Sequence, residues 1–407
     1  MVQAISRHHG LWRKRMGEDI SRARASPGRR RDRIEAGRLI RRFDLVELTK
    51  TIAEFLKQLT TLLTESFTTM FYYSMRTTCL SVLLSLVITA SAAELPEGVR
   101  RVKVLNYADC FELSNAETRV TLCHQVGGRV LEYSFKGANA LYLDPEEAKW
   151  GSPGGPRAPD SAGRFDIGPE YLIPKRDKLW SGQWQAEAIG SRAVRLTSQV
   201  DESTGVQLIR EFRLDAKSTH LACTQIIRNV SQETKRWAHW SRTFAVHGGI
   251  GVVPLTPETQ RFPNGFVMYD QGTEPSIILR PTDPNVRRRG EFLEVLGPTR
   301  QPKLGFDSNA GWFAYVMPHH QAFVKRYPSP PGGVYPEIAG LTLCFWYPKA
   351  EQVPACELEP HGPRSNIPPG GSAWFTEDWY LLPHPFPAAD AEINLDNLAA
   401  QVDREAR

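Results

Sequence analysis

Short stretches in which apolar and polar residues alternate recur throughout the chain after residue 94, and helical periodicity is nearly absent there. A period of two is typical of a β-strand with one buried face, and Gly, Pro and Asn separate the stretches as turn residues do. After residue 94 the only segment that looks helical is the tail at 388–405, and Gly127-Gly128 joins the first two stretches. The pattern predicts strands at 119–124, 129–135, 192–198, 206–214, 220–228, 311–317, 341–347 and 373–382.

So many strands in one domain predict an all-β fold. Propeller blades would appear as an internal repeat, and the sequence has none, so we predict two large antiparallel sheets packed face to face, a β-supersandwich. Sheets of this size curve, and a groove on a concave face, lined by alternate side chains, suits a sugar. Pro-rich loops at 151–160, 280–285 and 328–336 are candidates for the rim of such a site.

The segment of residues 75–93 is typical of a secretory signal peptide. Arg76 supplies the positive charge, 80–88 the apolar centre and 90–93 the small residues at which a signal peptidase cuts. The apolar centre is shorter than the roughly 20 residues of a bilayer-spanning helix, so we expect no stable membrane anchor beyond the signal segment. We therefore expect a β-domain over 94–407 that is secreted or periplasmic.

The basic character of the chain belongs to residues 1–74, which hold 15 Lys and Arg against 8 Asp and Glu, whereas the rest holds 35 against 37. The basic run at 22–42 lacks the interleaved aromatic residues of a nucleic-acid patch and precedes an export signal. We expect no nucleic-acid partner and interpret 1–74 as a disordered or non-native leader. Apolar residues at helical spacing over 44–64 predict an amphipathic helix there.

Cofactor and metal chemistry find no support in the motifs. Five cysteines follow residue 94 without a CxxC pair, so buried free thiols are the default, with one chance disulfide left open. His319 and His320 are adjacent, and no HxH or HExxH pattern exists, so we expect no metal. The chain has no GxSxG motif and no Gly-rich phosphate loop, and we expect no cofactor.

Two glutamates two positions apart are the first candidates for chemistry. In a strand over 356–360, Glu357 and Glu359 share one face, with Cys356 and Leu358 on the other. If that face is enclosed, mutual repulsion raises the pKa of at least one carboxyl group, as a general base near neutral pH requires. The alternative is a solvated strand face with two ordinary acids.

The aromatic segment 237–244 is the second candidate. Alternation places Trp237, His239, Ser241 and Thr243 on one face, and Trp240, Arg242 and Phe244 on the other, which we take as the core side. An indole beside an imidazole offers a sugar a flat apolar surface and a proton. A structural, hydrogen-bonded His239 is the alternative, and Arg242 on a core face requires a bulge or an internal ion pair.

The third candidate is segment 163–170, where Arg164 and Asp166 alternate with Phe165 and Ile167. An arginine fixed beside a carboxylate binds neighbouring sugar hydroxyls, but the two side chains can equally pair only with each other.

Taken in order, these segments resemble the galactose mutarotase-like superfamily, which includes aldose 1-epimerases and hexose-phosphate mutarotases. Segment 127–133 looks like its first hairpin, the stretch around Arg164 like its arginine loop, 238–242 like the strand of its catalytic histidine, and 356–360 like the strand of its catalytic glutamate. The chain is closest to an uncharacterised secreted bacterial domain family of the same fold. The resemblance spans nearly all of residues 105–387.

The resemblance implies an acid/base reaction at the anomeric centre of a sugar or oligosaccharide. Glu359 would be the general base, with Glu357 as the alternative, and His239 the acid that protonates the ring oxygen. It further implies a substrate-binding set of Arg164, Asp166, Glu170, Trp240 and Arg242.

Two family features are missing: the Asn before the histidine and the Pro-Asp-Ala run after the glutamate. A noncatalytic carbohydrate-binding domain and a structural domain of the cell envelope therefore stay open as alternatives.

Overall fold

A computed structural model describes residues 53–54, 94–149, 160–257, 261–270, 276–348, 353–389 and 391–405. Ala53 and Glu54 are helical; the rest of the leader, the signal segment and most of the loop at 151–160 lie outside the described residues. Within the described residues, no helix is long and apolar enough to cross a bilayer.

From Leu95 onward the described residues are almost entirely strand and loop. The strands, in chain order, are β1 Val99–Val104, β2 Tyr107–Ser114, β3 Thr118–Cys123, β4 Arg129–Phe135, β5 Ala138–Asn139, β6 Gly163–Gly168, β7 Gln185–Gly190, β8 Ala193–Thr197, β9 Val206–Leu214, β10 Leu221–Asn229, β11 Lys235–Val246, β12 Ile250–Pro254, β13 Val267–Asp270, β14 Ser276–Ile278, β15 Val286–Arg289, β16 Phe292–Val295, β17 Lys303–Phe306, β18 Trp312–Met317, β19 Gln321–Arg326, β20 Leu343–Trp346, β21 Ala355–Pro360, β22 Ser365–Ile367 and β23 Ser372–Pro383. The helices are α1 Asp177–Trp180 and α2 Leu395–Glu405, with 3-10 turns at Pro145–Lys149, Glu170–Leu172 and Ile338–Gly340.

The strands form two sheets in which every described pair is antiparallel. The first sheet has 13 strands in the order β1-β2-β3-β4-β6-β11-β21-β20-β17-β13-β14, with β5 attached to β4 and β22 to β11. The second has 10 strands in the order β15-β16-β12-β18-β19-β23-β10-β9-β8-β7. The predicted all-β fold of two large antiparallel sheets is confirmed.

The main core lies between the sheets. Apolar side chains on alternate positions of both sheets form one buried cluster, including Val130 and Phe165 from the first sheet and Phe212, Phe323 and Trp379 from the second. Burial of apolar surface at about 25 cal/mol per Å² is the main force that holds two such sheets together.

A second cluster covers the other side of the second sheet. Leu395, Leu398 and Val402 of α2 pack there against residues such as Val316 and Leu382. The predicted helical tail is confirmed, and the helix begins later than the sequence pattern suggests.

The turn between β3 and β4 depends on two glycines. Gly127 and Gly128 both have positive φ, at 64° and 56°, a region that favours glycine. A Cβ on Gly128 would lie 2.4 Å from the Trp184 ring, so this turn also requires the missing side chain for close packing.

Candidate functional site

Strands β6, β11 and β21 lie side by side in the first sheet and carry all three candidate segments. Asp166 pairs with Trp240 and Arg164 with Arg242 across the β6–β11 ladder. The β11–β21 ladder brings the same strand beside Glu357, and an isolated bridge joins Trp240 to His361. Segments separated by some 190 residues in sequence therefore meet because they are neighbours in one sheet.

The two faces of β11 have different neighbours. Ser241 and Thr243 contact Glu377 and Lys325 of the second sheet, at 3.1 and 2.7 Å, so this face of β11 points into the sandwich. Trp240 and the other alternate residues therefore lie on the opposite face of the first sheet, which we call the outer face. The expectation that Trp240, Arg242 and Phe244 lie on the core side was wrong.

His239 lies on the inner face, away from both glutamates. Its ring is stacked between Phe165 and Phe375, with centroid separations of 5.6 and 5.4 Å, and its Nε2 lies 3.2 Å from the Ala373 carbonyl oxygen. Burial lowers the pKa of His239 to about 4, so the imidazole is neutral at pH 7. The resemblance implied that His239 acts as the acid beside Glu359 as the base, and this geometry contradicts that role, because the two side chains lie on opposite faces of the first sheet.

The other predicted residues are brought together on the outer face, where most of them contact charged partners and Arg164 donates to the Trp180 carbonyl at 3.2 Å. Arg242 donates to both oxygens of Glu357, at 2.8 and 3.2 Å. Asp166 is bound in the same two-pronged way by Arg176, with Nε 2.7 Å from Oδ1. No bulge interrupts β11 at Arg242; its ion pair lies on the outer face instead.

Glu359 lies at the centre of this face. Its Oε2 accepts a hydrogen bond of 2.8 Å from the Trp240 indole and lies 3.4 Å from the Lys303 ammonium group. Lys303 also reaches Glu170 at 3.1 Å, which places Glu170 in the same group. The two carboxylates hold the pKa of Lys303 well above its usual value despite burial, so this lysine is protonated at neutral pH.

Enclosure shifts the pKa of the Glu357 carboxyl group upward, which is the predicted direction. Burial raises the pKa of Glu357 above its usual value and Glu359 adds to the rise, while the Arg242 guanidinium, which donates to both carboxylate oxygens, acts against it. Neither glutamate side chain is accessible to solvent, so the alternative of a solvated strand face does not hold.

Two indole rings contribute aromatic surface. The Trp180 ring is contacted by the guanidinium groups of Arg164, Arg176 and Arg242, at 4.4, 5.2 and 4.9 Å from its centroid. The Trp240 ring has Arg242 at 4.6 Å and Lys303 at 5.3 Å. These are cation–π distances, and they fix the orientation of the charged groups.

Sequence reasoning missed four residues of the site: Trp180, Arg176, Lys303 and His361. His361 follows Glu357 and Glu359 at the same period of two, a signal that would have found it. Trp180 and Arg176 come from α1 and the residue before it, and Lys303 from the distant strand β17. No local pattern assigns these three to the site.

Of the predicted rim loops, 328–336 adjoins the site. The Pro336 carbonyl accepts a hydrogen bond from the Tyr171 hydroxyl at 3.2 Å, and the neighbouring Glu337 accepts one from the Glu170 backbone at 3.0 Å. The loop at 280–285 instead contacts Asn264 through the Pro281 carbonyl.

An open groove of about 450 Å³ lies elsewhere, beside the edge strands β1 and β7. Its charged side chains pair with one another, as Arg101 does with Asp109 and Arg195 with Glu187. None of the predicted site residues lines it.

The chain matches no protein-family model and no curated protein. Its structure is similar to that of a candidate aldose 1-epimerase from Escherichia coli K12, at 12% identity over 67% of this chain and 98% of that one, with a TM-score of 0.48. Galactose mutarotase-like proteins from Lactobacillus casei ATCC 334 and Clostridium acetobutylicum give 11% and 12% identity, with TM-scores of 0.47 and 0.46. They cover 67% and 70% of this chain and 99% and 98% of their own lengths.

These matches bear the family name that the sequence resemblance led us to expect. Their TM-scores lie below 0.5, so they carry no argument about residues or activity.

Proposed function

We propose that the outer face binds a sugar and catalyses acid/base interconversion at its anomeric centre, with Glu359 as the general base. The observation that carries the proposal is the environment of Glu359. Its Oε2 is held by Trp240 and Lys303, while its Oε1, also buried, has no hydrogen-bond partner among the described residues. A buried carboxylate oxygen held in place without a donor is suited to accept a substrate proton.

The proposed reaction needs one base and one proton donor. Glu359 removes the proton of the anomeric hydroxyl as the carbonyl forms and the bond from the anomeric carbon to the ring oxygen breaks. The ring oxygen takes a proton from Lys303, the ammonium group next to Glu359. Rotation about the first carbon–carbon bond and reversal of both proton transfers give the other anomer, so no atom is gained or lost.

Lys303 takes the role that the sequence resemblance implied for His239. The imidazole of His239 is on the inner face and is held by Phe165, Phe375 and the Ala373 carbonyl, so it has no route to a ligand on the outer face. Glu357 positions Arg242 through its paired hydrogen bonds, and Asp166 positions Arg176.

A noncatalytic sugar-binding domain is the second candidate. The ion pairs favour it, because Glu357 and Asp166 are already bound in two-pronged contacts by Arg242 and Arg176. Side chains paired in this way present hydrogen-bonding edges and aromatic surface to a sugar without taking part in proton transfer.

Anomer exchange followed by NMR and polarimetry tests the proposal with a panel of neutral aldoses. We expect one or more sugars to exchange faster with the wild-type protein than with buffer, and Glu359→Gln to lose at least about 100-fold of that rate. Glu294→Gln is the matched control, because Glu294 is a buried, arginine-paired glutamate of the second sheet. Binding by calorimetry without exchange would select the noncatalytic alternative.

We further propose that the chain is exported and cleaved after Ala93. The signal-like run at 75–93 supports this proposal and lies outside the described residues. N-terminal sequencing of the protein from a bacterial expression host tests it: a periplasmic product that starts at Glu94 is expected, and a cytoplasmic product with an intact residue 75–93 segment would contradict it.

A further inference from the structure

Two buried hydrogen-bond acceptors on the outer face have no donor. One is Oε1 of Glu359, and the other is Nε2 of His361; neither has a partner among the described residues. The His361 Nδ1 lies 3.1 Å from the Leu341 carbonyl oxygen, which can only accept. Nδ1 therefore carries the proton, and Nε2 presents a bare lone pair.

The two acceptors are parts of one site. Glu359 and His361 are two residues apart at the end of β21, and both contact Trp240. The indole nitrogen donates to Glu359 at 2.8 Å, while the indole ring meets the His361 ring edge-on at a centroid separation of 6.0 Å. Buried polar atoms normally have partners, so two adjacent bare acceptors call for a ligand that brings two donors.

Three of the cations around them are paired with carboxylates. Arg242 is bound by Glu357, Arg176 by Asp166, and Lys303 lies between Glu170 and Glu359. A phosphate or carboxylate bound here would place its own acceptor oxygens beside two acceptors that have no donor. It would also add negative charge to a group of carboxylates.

We propose that this site recognises an uncharged sugar through two of its hydroxyl groups, one donating to Glu359 and one to His361, and that it rejects sugar phosphates and sugar acids. The inference rests on the proposed function and adds the class of substrate. His361 here contacts the substrate as a hydrogen-bond acceptor, and the selection against anions follows from the paired cations.

A purely structural His361, held by its contacts with Leu341 and Trp240, is the competing explanation. It predicts that loss of the imidazole affects stability and leaves the preference among sugars unchanged. Binding measured over a panel of sugars therefore distinguishes the two explanations, because it measures the preference among sugars and not the stability of the protein.

The test is calorimetric binding of D-galactose, D-glucose, D-glucose 6-phosphate and D-glucuronate to the full chain. We expect a neutral aldose to bind at least about tenfold more tightly than either anion, and His361→Phe to weaken it about tenfold, as the loss of one hydrogen bond in a buried site does. His361→Gln, which keeps an acceptor, is expected to bind better than His361→Phe. His220→Phe, in the second sheet, is the control.

A direct readout needs no variant. In protein labelled with 15N-histidine, the Nε2 resonance of His361 is expected to move upfield when a neutral aldose is added, as an unprotonated imidazole nitrogen does on accepting a hydrogen bond. Equal or tighter binding of glucose 6-phosphate would overturn this inference and leave the proposed function standing. Binding of none of the four sugars, with no anomer exchange in the wider aldose panel, would overturn both.

Discussion

At the scale of single residues, His239 and Glu359 show how alternation along a strand places two candidate catalytic side chains on opposite faces of a sheet. Both are buried, but they lie on opposite faces of the first sheet, with His239 between aromatic rings and Glu359 among charged groups. The aromatic side chains of β11 misled the sequence interpretation, because Trp240 and Phe244 suggested a core face. The true core face carries His239, Ser241 and Thr243, whose polar atoms find partners inside the sandwich.

The buried, neutral His239 predicts a pH dependence of stability. Its pKa is about 4 in the folded protein and about 6.5 when unfolded, so as pH falls below 6.5 the unfolded state binds a proton that the folded state does not. The free energy of unfolding should therefore fall by roughly 3 kcal/mol between pH 6.5 and 4 on account of this group.

Urea titrations at several pH values measure the effect. His239→Gln is expected to lose this part of the pH dependence, whereas His220→Gln, at a partly exposed histidine, is expected to keep it. An unchanged pH slope in His239→Gln would contradict the assignment of His239 to the core.

At the scale of elements, the alternating pattern predicted most strands it was applied to within one or two residues. The runs at 129–135 and 206–214 match β4 and β9, and 373–382 lies within β23. The order in which the strands pair could not be predicted from the sequence, since β11 lies between β6 and β21, which are remote in the chain. Residues outside strands, such as Trp180 of α1, have no periodic signal and reach the site only through tertiary packing.

The helix α2 is expected to stabilise the second sheet without serving the site. Leu398 is fully buried against that sheet, so Leu398→Ala should lower the free energy of unfolding by about 3 kcal/mol through the cavity it leaves. Asp396→Ala, on the exposed side of the same helix, should change it by less than about 0.5 kcal/mol. Urea denaturation measures both, and equal effects of the two substitutions would show that α2 does not pack as described.

At the scale of the whole molecule, a buried ion pair within the second sheet is hydrogen-bonded to the first sheet. Lys325 of β19 lies 3.0 Å from Glu377 of β23, and Lys325 also donates to Ser241 and Thr243 of β11. The Trp379 indole donates to the same glutamate at 2.9 Å. This network fixes the register of one sheet over the other with directional bonds that apolar contacts do not provide.

Removing one partner of this ion pair should lower the free energy of unfolding strongly, and removing both partners should lower it much less. Glu377→Gln leaves a buried ammonium group without its carboxylate, so we expect a loss of about 3–5 kcal/mol in the free energy of unfolding. The double variant Lys325→Met/Glu377→Leu should recover most of that loss, because neither charge of the pair is left buried without its partner. A double variant as unstable as Glu377→Gln, by urea denaturation, would contradict this explanation.

The fold places the candidate chemistry on the outer face of the first sheet, and this is the central claim. The most direct test compares the rates of anomer exchange for Glu359→Gln and His239→Gln, each shown to be folded by circular dichroism, with the sugar that the wild-type protein turns over fastest. We predict a loss of at least about 100-fold for Glu359→Gln and a rate within a few-fold of wild type for His239→Gln. The reverse result, with His239 essential and Glu359 dispensable, would contradict the claim.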